Sequence, residues 1–102
     1  MRLYVYSVYD KAVGSYLPPF YCRATGEALR SFGDACNDEK GNFYKHASDF
    51  TLFSLGYWED DSGMFYLNGD PVRVISALEC LNDDPFLDAK NLDKPADKRL
   101  PM

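Results

Sequence analysis

The chain commits to a β-strand almost from its first residue. Leu3-Tyr4-Val5-Tyr6-Ser7-Val8-Tyr9 is a run of seven β-branched, aromatic, leucine or serine residues, with neither glycine nor proline among them. Such residues suit a pleated surface better than a helix. Alternation places Tyr4, Tyr6 and Val8 on one face and Leu3, Val5, Ser7 and Tyr9 on the other. Neither face is properly polar, so this strand belongs inside a sheet covered at least in part on both sides. A tyrosine face left open would be a surface for stacking bases or docking a protein.

Sheet neighbours follow. Asp10 to Ser15 is a polar connection carrying Gly14, and a second strand is expected over 16–23, interrupted at Pro18-Pro19. Two prolines remove two amide donors, which makes that segment an edge or a bulge and a kinked docking lip at most. Thr25 is placed to cap a helix reaching Asn37, with Glu27 in its first turn. Ala28, Leu29, Phe32, Ala35 and Cys36 recur at helical spacing and form its apolar face. Residues 43–49 carry no firm pattern and read as a loop or short turn. Phe50 to Trp58 is the second clear strand, alternating Thr51, Phe53, Leu55 and Tyr57 against Phe50, Leu52, Ser54, Gly56 and Trp58. Glu59 to Gly63 closes a hairpin onto Met64 to Leu67. Asn68-Gly69-Asp70-Pro71 reads as another turn before the strand Val72 to Ile75. Ala77, Leu78 and Leu81 suit either a short helix or a continuation of that strand.

The expected fold is α+β: an antiparallel sheet of about four to five strands with one main helix packed on one face. At 102 residues the chain supports one domain, assigned here to 1–81, followed by a polar, flexible tail over 82–102. A hydrophobic content of 46% favours a folded core over disorder. The three cysteines are odd in number, widely spaced and without a CxxC pair, which excludes a disulfide framework and fits a reducing compartment. No run approaches the roughly 20 apolar residues of a membrane span, and no signal peptide opens the chain. No contact with a membrane is expected.

Catalysis finds little support. His46, the only histidine, has Asp49 nearby, but one such pair does not fill a zinc site. The acidic run Glu59-Asp60-Asp61 lacks the alternating ligands of a calcium loop and reads as a solvated hairpin tip. No phosphate loop, nucleophile elbow or zinc-protease motif occurs. The expectation is a protein that is not an enzyme and needs neither metal nor cofactor.

Binding remains. A net charge of −5 argues against a packaging polycation. Stacking on aromatic side chains tolerates that charge, since each base contributes roughly 1–3 kcal/mol. Arginines in or beside aromatic strands select Tyr4, Tyr6, Arg23, Tyr57, Trp58 and Arg73 as the candidate nucleic-acid surface, rings for bases and guanidinium groups for phosphates.

Several of these segments, taken in order, have a familiar look: Tyr6-Ser7-Val8-Tyr9-Asp10, Pro19-Phe20, Ala28-Leu29-Arg30-Ser31-Phe32-Gly33-Asp34, Asn37-Asp38, His46 and Asp49-Phe50-Thr51-Leu52-Phe53-Ser54-Leu55-Gly56. Over about residues 3–81 the chain resembles the small nonstructural protein of gokushovirus-type microviruses, which are single-stranded DNA bacteriophages. The resemblance implies a non-enzymatic role in the host cytoplasm, assisting genome replication or packaging by binding single-stranded DNA or the replication complex. The alternative is an acidic protein–protein adaptor or inhibitor acting on a host or phage protein. A homodimer or higher oligomer is expected as well, because the exposed edge at Pro18-Pro19 and the two-sided first strand leave surface uncovered.

Overall fold

The computed structural model describes residues 1–83. Five strands form one antiparallel sheet: β1 (Arg2–Asp10), β2 (Ser15–Tyr16), β3 (Phe20–Cys22), β4 (Phe50–Glu59) and β5 (Phe65–Ser76). Three helices accompany it: α1 (Thr25–Cys36), α2 (Asn42–Lys45) and α3 (Ala77–Asp83), with a 3-10 turn at Ala47–Asp49. The α+β class expected from the pattern is the one adopted.

β1 lies inside the sheet. It pairs with β4 along its whole length and, on its other side, with β2 and β3 in succession. Pro18-Pro19 divides these two short partners, because neither proline can donate to the ladder. Pairing stops after Tyr9 opposite Tyr16 and resumes with Tyr6 opposite Phe20. The backbone N–H of Leu17 still reaches the Val8 carbonyl at 2.8 Å.

α1 lays Ala28, Phe32 and Cys36 over Tyr6, Val8, Leu52 and Ile75, with Cys22 and Cys80 completing the core. Fully burying a side chain such as Leu52 or Phe32 contributes about 1.5–3 kcal/mol. Phe43 of α2 closes one end, its ring centroid 5.6 Å from Phe32 and 4.7 Å from Phe50. Thr25 is not the cap of α1. Ala24 holds the extended cap conformation, and the Thr25 hydroxyl instead accepts the Tyr6 hydroxyl at 2.9 Å. Glu27, in the first turn, reaches back past the cap to accept the Arg23 N–H at 2.8 Å.

Two departures from the sequence pattern matter for function. Val5 pairs with Gly56 and Tyr6 with Ser54, so Leu55 is an extra residue in β4. A bulge of this kind switches the faces beyond it. Tyr57 therefore shares the helix-covered face with Ser54 and Leu52, while Gly56 and Trp58 join Phe53 on the other. The second departure is at Asn68 to Pro71, which does not end a strand. β5 continues through it, stepping from Leu67 opposite Gly56 to Val72 opposite Ser54. The excursion is pinned where the Asn68 amide donates to the Ser54 carbonyl at 2.9 Å.

After Ser76 the chain turns helical, which decides between the two readings of residues 77–81. The Glu79 N–H donates to the Ser76 hydroxyl at 3.1 Å, and the Ser76 N–H donates to the Glu79 carboxylate at 3.0 Å. This reciprocal capping box starts α3. The helix runs through the 81/82 boundary to Asp83, and the rest of segment 82–102 lies outside the described residues. No described helix is long and apolar enough to cross a membrane.

Candidate nucleic-acid interface

Cover on the helix side of the sheet thins toward the β4–β5 hairpin. Tyr6 is buried beneath α1, Tyr4 and Tyr57 are half-buried, and Tyr66 is exposed. Tyr4 stands opposite Tyr57 across β1 and β4, and Tyr57 opposite Tyr66 across β4 and β5. Directly opposed residues point to the same side of a sheet, so the three rings form a row across the strands. Their centroids are 6.3 and 5.1 Å apart, and the Tyr57 and Tyr66 planes meet at 25°. The Arg2 guanidinium carbon lies 3.8 Å from the Tyr57 centroid, a cation–π contact. Arg2 also donates from Nε to Glu59 at 2.8 Å, and this bond raises its already high pKa. At the same end, the N-terminal ammonium is bonded to Asp60, which raises its pKa too.

The six residues selected from the sequence are not one surface. Tyr4 and Tyr57 meet in the row. Tyr6 does not belong to it, because it is only 2% exposed and its hydroxyl is engaged by Thr25. The same alternation that aligns it with Tyr4 carries it under α1. Trp58 is at the same end of the sheet but on the opposite face, opposite Leu3 and Phe65. Arg23 is exposed just after β3, near that end, since Cys22 is opposite Tyr4. Arg73 stands apart, opposite Phe53 beyond the Asn68–Pro71 excursion, with its guanidinium 2.7 Å from Glu79. The pattern overlooked Arg2 and Tyr66 as members. Extending the hairpin pairing from Trp58 and Phe65 would have found Tyr66 beside Tyr57.

Chemically, the row can stack planar groups and offers one guanidinium, already shared with Glu59. Among the described residues, no group of three or more His, Cys, Asp or Glu is placed to hold a metal. All three cysteines are buried and none forms a disulfide, and burial pushes the Cys22 thiol pKa up.

Comparison with known proteins adds identity. The family model for the phage ORF5 protein matches residues 3–80. The chain is also 31% identical over 91 residues to "Protein ORF5" of Chlamydia phage 1, covering 84% of this chain and 95% of that protein. No solved structure matches. The matched span takes in β1, the ring row, the bulged hairpin and the start of α3. The chain belongs to the phage ORF5 protein family, small proteins of the microvirus type of single-stranded DNA phage.

Proposed function

We propose that this phage protein binds single-stranded DNA without catalysing a reaction, in the host cytoplasm, and so assists genome replication or packaging. The supporting observation is the Tyr4–Tyr57–Tyr66 row with Arg2 over its middle ring. Stacking on such a row needs no sequence-specific contact, and the guanidinium over its middle ring is the cation nearest to a bound phosphate backbone. The small number of cations and the net charge of −5 fit a weak, stacking-led interaction. Binding of a fluorescently labelled oligothymidylate at low salt, followed by anisotropy, tests it. Micromolar binding that falls about 5- to 100-fold in Tyr57→Ala supports the reading. No binding at micromolar protein, or binding indifferent to Tyr57 and Tyr66, overturns it. The reading then left is the adaptor acting on a phage replication protein or a host protein, which nuclease-treated copurification from infected cells would capture.

A further inference from the structure

The tyrosine row is a stack with one open end. Tyr57, at its middle, has both faces taken. The Arg2 guanidinium carbon lies 3.8 Å from the ring centroid on the β1 side, and Tyr66 lies against the β5 side, 5.1 Å away and tilted by 25°. Tyr4 meets Tyr57 edge-on, at 62°, and is half-buried. Tyr66 differs from both. It belongs to the border strand, its inner face rests on Tyr57, and it is exposed. Among the described residues, no second ring packs on it and no strand continues the sheet beyond β5. One ring face is therefore left open at the edge of the sheet, with two planar groups stacked behind it.

Asn68, two residues along β5, adds a polar group on the same side. Its amide nitrogen donates to the Ser54 carbonyl at 2.9 Å and to the Ser54 hydroxyl at 3.2 Å. Ser54 stands opposite Tyr6, on the side of the sheet that also carries Tyr57 and Tyr66. A carbonyl can only accept, so this anchor fixes which end of the amide is the nitrogen and turns the Asn68 Oδ1 away from Ser54. Among the described residues, that oxygen accepts no bond. An open ring face with a fixed acceptor nearby fits a nucleobase: the face takes its π surface, and the oxygen takes an N–H from its edge. A phenylalanine or leucine anchor would use the face alone. We infer that one unpaired base caps the stack on the outer face of Tyr66, with Asn68 Oδ1 accepting from its edge. Each chain then holds a single nucleotide of the strand at the β5 border. Tyr66 touches the base, while Tyr57 and Arg2 are positioning residues behind it. The inference rests on the single-strand reading above and narrows it, since the strand does not lie across all three rings.

The test titrates the full chain into short DNA strands with one central 2-aminopurine, a fluorescent base that is quenched when it stacks. In one strand every other position is thymine; in the second every other position is abasic. Both should be quenched saturably, with affinities within about threefold of each other, and a wholly abasic strand should compete about 5- to 100-fold more weakly. Tyr66→Leu, which keeps an apolar side chain on the strand, should remove the quenching and lower affinity about 5- to 100-fold. Tyr66→Phe should retain both. A purine without the amino group should compete about 2- to 10-fold more weakly than 2-aminopurine. A second chain laid along β5 would cover the same ring face, so light scattering at saturating oligonucleotide should give one chain per strand. Affinity that climbs as thymines are restored, or a Tyr4→Leu loss as large as that of Tyr66→Leu, would overturn the inference while DNA binding stood. Quenching retained in Tyr66→Leu, or two chains per strand, would overturn it as well. Equal competition by the amino-free purine would strike Asn68 from the site. No binding of either strand would remove the single-strand reading and this inference together.

Discussion

Gly56 leaves no room for a side chain between β4 and β5. A Cβ added there would lie 2.2 Å from the Tyr66 carbonyl oxygen and 2.8 Å from the Leu67 Cα, at a φ of +142°. Both obstacles are backbone, so the strands themselves would have to part. Gly56→Ala is expected to lose roughly 3 kcal/mol or more, measured by urea denaturation. Because Tyr57 and Tyr66 flank the contact, the same change should weaken the ring row. Tyr6 behaves differently. Tyr6→Phe keeps the ring in the core and removes only the bond to Thr25. It should cost about 1 kcal/mol of stability and leave oligonucleotide affinity unchanged. A loss of affinity in Tyr6→Phe would return this residue to the binding surface, against its burial.

At the scale of elements, the residues that made β1, α1 and β4 recognisable are those whose period matches a buried face. Tyr6 and Val8 point inward together, and Phe32 and Cys36 meet them from α1. The faces of β4 beyond Leu55 were not legible, because a bulge arises from how two strands pair and leaves no mark on the composition of one. Asn68-Gly69-Asp70-Pro71 has turn chemistry and does bend. Yet β5 survives it because the Asn68 amide is anchored on Ser54, a residue fourteen positions earlier in the chain. The Ser76-x-x-Glu79 capping box was readable and would have favoured the helix over the strand. That junction also responds to pH. The Glu79 carboxyl is held below its ordinary pKa, first by the Ser76 N–H and then by Arg73. A pKa lower in the folded than in the unfolded state gives stability that is present above the unfolded value and lost as pH falls through the folded one. The difference in melting temperature between wild type and Glu79→Gln should therefore be full above the ordinary glutamate range and shrink as the pH falls below it. The group is exposed, so added salt should shrink it.

For the whole molecule, charge and shape set different expectations. An acidic chain presenting Arg2 and Arg23 near one end of its sheet can neutralise few phosphates. The logarithm of oligonucleotide affinity should therefore fall against the logarithm of salt with a slope of only about −1. A much steeper slope would mean that cations away from the ring row carry the binding. The sequence disclosed the ingredients of this end, Tyr4, Tyr57, Trp58 and Arg23, but not their division between two faces, which only the three-dimensional pairing settles. The paired prolines have a last consequence. They leave β2 and β3 too short and too broken to template another strand, whereas Phe65, Tyr66 and Leu67 line the opposite border of the sheet at 50%, 45% and 67% exposure. Among the described residues, one border is short and interrupted and the other carries a longer strand. Joining of two copies is therefore expected along β5, and light scattering of concentrated protein should then approach twice the chain mass.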